Sequence, residues 1–154
     1  MAHDGFNTNE LDEFSRDLLS LATTALPRET KKMLKKEATK LSKIQKNKIK
    51  SLGIGELATG LVKKTKAGKV YKYNGDLTCR AYSGGAVKGK GSNYYSLSGM
   101  INNGYLRRGG VNHEGAETYV PGYKYMESSQ SQFSSIYNQD LQNFIDDMLD
   151  NNEL

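Results

Sequence analysis

Apolar residues recur along this chain with two different periods, and the change of period divides it. Near the N-terminus Leu11, Phe14, Leu18, Leu21 and Ala25 fall at three- and four-residue steps, with Asp12, Glu13, Arg16 and Asp17 on the other side. That spacing marks one amphipathic helix. Asn7 and Glu10 offer it a start like a capping box, its early acids suit the positive end of the helix dipole, and Pro27 ends it and opens the next helix. The second helix is expected over residues 28–52, with Leu34, Ala38, Leu41, Ile44 or Gln45, Ile49 and Leu52 as its apolar stripe. A last helix is expected after Pro121-Gly122, where Met126, Phe133, Ile136 or Tyr137, Leu141, Phe144 or Ile145, and Met148 recur at helical spacing.

The middle reads differently. Fifteen of the sixteen glycines lie between positions 53 and 122, and every tyrosine but Tyr137 lies between 71 and 125, so strands and loops are expected there. Gly53 closes the second helix, and Gly55-Glu56-Leu57 leads into strands expected at residues 57–65, 69–73 and 76–82, with a fourth at 118–120. Asn74-Gly75 tolerates the positive φ angles of a two-residue hairpin turn. Leu77, Cys79 and Ala81 alternate with Thr78, Arg80 and Tyr82, which points one face of that strand at the helices. Residues 83–93, with Gly84, Gly85, Gly89, Gly91, Lys88 and Lys90, read as a mobile basic loop, and residues 94–103 as a short helix or tight turn with Tyr95, Leu97, Met100 and Ile101 inward. The expected fold class is α+β: two N-terminal helices and a long C-terminal helix packed on a small, mostly antiparallel β-sheet. One domain spans 1–154, helical over about 7–52, a β-meander with long loops over 55–120, and helical again over 121–150.

Composition narrows this picture. At 154 residues and 36% apolar content the chain has room for one thin core that gains from partners. No apolar run approaches the ~20 residues of a membrane span, and residues 1–9 carry neither a basic leader nor an apolar segment, so neither membrane insertion nor a secretory leader is expected. The single cysteine, Cys79, excludes an internal disulfide and suits a reducing cytoplasm, and it reads as an ordinary buried strand residue. The net charge of +5 hides a segregation: −4 over residues 1–25, +16 over 26–108 and −7 over 109–154. Acidic ends and a basic middle can present unlike surfaces to other copies of the chain, which suits head-to-tail association in a ring; the alternative is that the charges interleave and are solvated.

Candidate chemistry is sparse. Lys31, Lys32, Lys35, Lys36, Lys40, Lys43, Lys46, Lys48 and Lys50 crowd the second helix, as a surface for a polyanion or as a solvated face. Lysine is a point charge that holds phosphate without reading sequence. The candidate basic surface comprises Lys35, Lys36, Lys43, Lys63, Lys64 and Lys66. The Gly-x-Gly spacings of residues 83–93 lack the Lys-Ser/Thr of a phosphate loop, and His113-Glu114 lacks the further ligands of a metal site, the other histidine being His3. Without a nucleophile–base pair, the expectation is no enzyme, no metal and no cofactor.

Two stretches carry a resemblance. Ser98-Gly99-Met100-Ile101-Asn102-Asn103-Gly104-Tyr105 runs an apolar pair into an Asn-Gly-aromatic turn, and Tyr119-Val120-Pro121-Gly122-Tyr123-Lys124-Tyr125-Met126 puts Val-Pro-Gly at the head of the last helix. With two helices before them and a Gly-x-Leu leading into the β region, their order resembles the head–tail joining, or tail-completion, family of long-tailed bacteriophages over roughly residues 10–149. Asn102 stands where that family usually carries an acid, and Tyr105 where a histidine follows. The resemblance implies a structural virion protein of the neck, made in the host cytoplasm, that forms a ring through which DNA passes. It implies a homo-hexamer, with a dodecamer as the alternative, between a portal-side connector or stopper protein and a tail tube or tail terminator protein, with at most non-specific contact to DNA and none to membrane. Expected contacts between subunits or rings are Lys88, Lys90, Asn102, Asn103, Tyr105, Arg107 and Arg108. Asp146, Asp147 and Asp150 join them, gathered where a helix dipole disfavours acids and a basic partner such as the lysine-rich region of another copy would compensate. The other reading is a small basic nucleic-acid-binding module using residues 28–50.

Overall fold

In a computed structural model, residues 15, 16, 19, 23, 25–88, 94–107 and 117–150 are described. The first expected helix falls mostly outside them; Ser15, Arg16 and Leu19 are helical, and the Thr23 hydroxyl donates to the Leu19 carbonyl at 2.7 Å. Helix α1, Leu26–Ser51, carries Pro27 in its first turn, where the missing N–H costs nothing. Met33, Glu37, Ala38, Ser42, Gln45 and Ile49 are its buried positions. This is the expected stripe rotated by about one residue, because α1 is covered on two sides rather than one.

Leu52 caps α1 through its N–H to the Ile49 carbonyl, and Gly53 and Gly55, both at positive φ, turn the chain into helix α2, Glu56–Lys64. The expected strand at 57–65 is therefore helical. Leu61 and Thr65 are both fully buried while Lys63 between them is exposed, which a helical period allows and an alternating strand, with 61, 63 and 65 on one face, does not. Glu56 in the first turn and Lys63 and Lys64 in the last agree with the helix dipole. Strands β1, Thr65–Tyr73, and β2, Asp76–Ser83, form an antiparallel hairpin turned by Asn74 at φ 51° and Gly75 at φ 92°, as their sequence predicts. A bulge between Ala67 and Val70 interrupts the pairing. Thr65 ties α2 to the hairpin, its hydroxyl 2.8 Å from the Leu61 carbonyl and 2.6 Å from the Ser83 hydroxyl.

Within the segment read as a loop over 83–93, backbone pairing forms β3, Ala86–Lys88, against β4, Tyr94–Ser96; the residues between lie outside the described set. Ser96 then caps α3, Leu97–Asn103, accepting from the Gly99 amide at 3.2 Å. Strand β5, Gly104–Arg107, pairs antiparallel with β6, Thr118–Pro121, at the expected fourth strand. Helix α4, Tyr125–Asp150, closes the described chain. The fold is α+β, with its strands in three two-stranded antiparallel ladders. Hairpin β1–β2 covers one side of α1 and α4 covers another.

The core is small. Ile49, Leu61, Ile101 and Tyr125 form the buried cluster, with Leu52, Ile54, Ala58, Val62, Leu97 and Met126 packed around it. Each large side chain fully buried there contributes about 1.5–3 kcal/mol. Among the described residues no helix is long and apolar enough to cross a membrane.

Candidate interaction surfaces

The two stretches singled out in the sequence meet in space. The Tyr123 amide donates to the Ile101 carbonyl at 2.9 Å, the Lys124 amide to the Asn102 carbonyl at 3.0 Å, and the Tyr119 hydroxyl to the Asn103 carbonyl at 2.8 Å. Two glycines permit this approach. A Cβ on Gly122 would stand 2.2 Å from the Asn102 carbonyl oxygen, and one on Gly104, at φ +88°, would stand 2.4 Å from that of Val120. No side chain fits at either place.

Asn102 is 3% exposed and works within this knot rather than at a subunit contact. Its Oδ1 accepts the Met126 amide hydrogen at 2.8 Å, and its Nδ2 donates to Asn103 Oδ1 at 3.0 Å and Glu127 Oε1 at 3.1 Å. Lys124, at φ 52°, precedes α4 and has no side-chain acceptor to offer its first turn, so Asn102 supplies one from another segment. The start of α4 holds the Glu127 carboxyl below its usual range, through backbone and Asn102 hydrogen bonds and the Lys124 ammonium. Asn103 is exposed, its Oδ1 within 3.4 Å of Lys124 Nζ.

From the knot projects the β5–β6 hairpin, with nearly every residue exposed on both faces. Tyr105 is 39% exposed, Leu106 60% and Tyr119 59%, and Arg107 is exposed beside them. An isolated two-stranded ladder with bare aromatics and open edges suits a docking surface. Arg108 and Lys90 lie outside the described residues, and of Lys88 only the backbone, paired with Tyr94, is described.

The basic set divides. Lys43 is exposed on α1, and Lys63 and Lys64 are exposed at the end of α2. Lys66 lies over the Tyr82 ring at 5.7 Å, as Arg80 lies over Tyr71 at 5.5 Å, so the outer hairpin face carries cation–π pairs. Lys35 turns its ammonium to the carbonyls of Ala67 and Gly68 at the β1 bulge, where the Cys79 thiol also donates to Gly68 at 3.6 Å. Lys36 lines a cleft of about 360 Å³ between α1 and α4, among Glu29, Asp140 and Asp147.

Sequence reasoning missed the link that closes that cleft. Lys40 Nζ lies 3.0 Å from Glu37 Oε1 and bonds Asp140 Oδ2, joining α1 to α4. The Asp140 bond, with Glu37 adding to it, holds the Lys40 ammonium above its usual range, and the same bond holds the Asp140 carboxyl below its own. Glu37 is 3% exposed and its Oε2 has no hydrogen-bond partner. The three-residue step from Glu37 to Lys40 was readable in sequence; Asp140, a hundred positions on, left no signal. At the far end of α4, Asp146, Asp147 and Asp150 are exposed, with no basic residue in the last turn.

Among the described residues no group of His, Cys, Asp or Glu is placed to hold a metal ion. Comparison with protein families, with curated proteins and with solved structures finds no match.

Proposed function

We propose that this chain is a structural virion protein of the phage neck, a ring that completes the head–tail junction or the tail end and lets DNA through. The observation that carries the reading is the knot: the two stretches behind the resemblance, residues 98–105 and 119–126, are bonded to each other around Gly104 and Gly122. From that rigid root spring a bare β5–β6 hairpin and a long helix, parts suited to seating on neighbours rather than to chemistry. The thin core, in which Glu37, Gln45 and Asn102 are buried beside few apolar residues, leaves much apolar surface for partners. Those partners are further copies of the chain, a portal-side connector or stopper, and a tail tube or terminator. The role is geometric, with no cofactor and no turnover.

The nucleic-acid-binding alternative loses ground on α1. Lys35 and Lys40 are engaged within the chain and Lys32 pairs with Glu29 at 2.6 Å, which depletes the polyanion stripe. Purified chain is expected to form rings in negative-stain images, sixfold or alternatively twelvefold, to bind free duplex DNA weakly, and to label with antibody at the neck of intact particles. A lone monomer that binds DNA tightly, with affinity falling steeply as salt rises, would overturn the reading in favour of the binding module.

A further inference from the structure

Two surfaces at opposite ends of α1 complement each other. One is a groove of about 430 Å³ where the turn after α1 meets α2, with Ile54, Ala58 and Val62 on its floor and Lys50 and Lys63 on its rim. Its floor rests directly on the buried cluster, so it is an opening in the core rather than a surface dimple. The other is the outer face of the end of α4. Ile145 and Leu149, one turn apart, are each 44% exposed, and Asp146 and Asp150, likewise one turn apart, are exposed beside them.

These two surfaces do not meet within one copy. Helix α4 runs antiparallel to α1: Tyr125 packs with Ile49, whereas Phe144 and Asp147 line the cleft with Glu29 and Met33. Glu29 and Lys50 stand roughly 30 Å apart along α1 at about 1.5 Å of rise per residue. We infer that the α4 end of one copy docks in the α1–α2 groove of the next, Ile145 and Leu149 filling the apolar floor and Asp146 and Asp150 meeting Lys50 and Lys63. The charges then do two jobs. The lysines neutralise carboxylates that the negative end of the α4 dipole disfavours, and the acids turn this end away from the acidic ends of other copies. The contact joins unlike patches, so it repeats from copy to copy and closes into a ring or extends into a filament. The inference rests on the reading above only in requiring that copies associate.

Charge reversal on the full chain tests it. Lys50→Glu with Lys63→Glu, and separately Asp146→Lys with Asp150→Lys, should each weaken self-association about a hundredfold or more in sedimentation velocity. Mixing the two doubly substituted proteins should restore assembly, since each then offers the other a complementary end; a misfolded variant would not be rescued. Wild-type assembly that neither reversal weakens, or reversals that mixing does not rescue, overturns the docking mode and leaves the ring standing. A wild-type chain that stays monomeric overturns the docking mode as well. Filaments that break up on reversal and re-form on mixing uphold the docking mode while overturning the ring.

Discussion

Asn102 Oδ1 accepts the amide hydrogen of Met126 at 2.8 Å, so the first turn of α4 is capped by a side chain 24 positions upstream. Through Nδ2 the Asn102 side chain also donates to Glu127 Oε1 at 3.1 Å, which no aspartate could do in its charged form. Asn102→Ala should cost about 1–3 kcal/mol in urea unfolding, since it removes a buried side chain and leaves the Met126 amide without its acceptor. Asn102→Asp should keep the bond to Met126 yet set a second carboxylate against Glu127, so its deficit should shrink as pH falls and one of the pair takes up a proton. A deficit independent of pH would mean that the two carboxylates do not interact.

Gly122→Ala should be severe. Its Cβ would meet the Asn102 carbonyl oxygen at 2.2 Å, backbone that cannot yield without opening the knot, for a loss of roughly 3 kcal/mol or more. Gly60→Ala is the contrast: nothing lies within 4 Å of its Cβ in the middle of α2, and alanine should raise stability by about 0.5–1 kcal/mol. Thermal or urea unfolding of the two variants distinguishes a glycine required by contact from one that is merely tolerated.

The Lys40–Asp140 bond sets a pH window. The Asp140 carboxyl is depressed, so its contribution is present above the ordinary carboxylate value of 3.8 and is lost as pH falls through the lower folded value. The Lys40 ammonium is raised, so its contribution is present below 10.5 and is lost as pH climbs through the higher folded value. Asp140→Asn should flatten the acid limb of a plot of urea midpoint against pH and leave the neutral plateau little changed in shape. An acid limb identical to wild type would place the acid sensitivity elsewhere.

Tyr125 is 1% exposed, and burial pushes its hydroxyl pKa up, an effect the nearby Ser83 hydroxyl offsets only in part. That hydroxyl lies buried without a well-formed hydrogen bond. Tyr125→Phe should therefore be neutral or raise stability by up to about 1 kcal/mol, the reverse of the usual loss at a buried tyrosine. Calorimetry reads the sign directly.

Leu106 and Tyr105, on the bare hairpin, are the complementary case. Leu106→Glu with Tyr105→Glu, which spares the Tyr119 bond to the Asn103 carbonyl, should leave unfolding within about 0.5 kcal/mol of wild type, because surface substitutions cost little. On the proposed function it should nonetheless abolish seating on the neck partners, checked by pull-down with the neighbouring tail or portal-side protein.

What could be read in the chain was whatever its own neighbours decide. The Asn74-Gly75 turn needs positive φ at two consecutive residues and gets it, and the long helices at either end of the described chain follow their apolar period. Helix α2 escaped because a short apolar run between glycines satisfies either period, and only the burial of Leu61 and Thr65 with Lys63 exposed between them decides it. The buried arc of α1 shifted because the hairpin and α4 both claim it, leaving Leu34, Leu41 and Ile44 half-buried and Ser42 and Gln45 inside. For the interaction surfaces the limit is starker. Lys35 and Asn102 look like surface residues in a list of letters, yet each is committed to a backbone group far along the chain, Gly68 in one case and Met126 in the other.

Among the described side-chain bonds, Asn102 holds helix α4 at its root and Lys40 holds it part of the way along. Two fixed points define a line, so the remaining turns act as a pointer whose aim is decided far from its tip. With about 1.5 Å of rise per residue, the ten positions beyond Asp140 extend roughly 15 Å past the second pin. A slip at either pin would swing Leu149 and Asp150 by more than the slip itself, so changes in the buried root can misdirect the end of the helix without touching it.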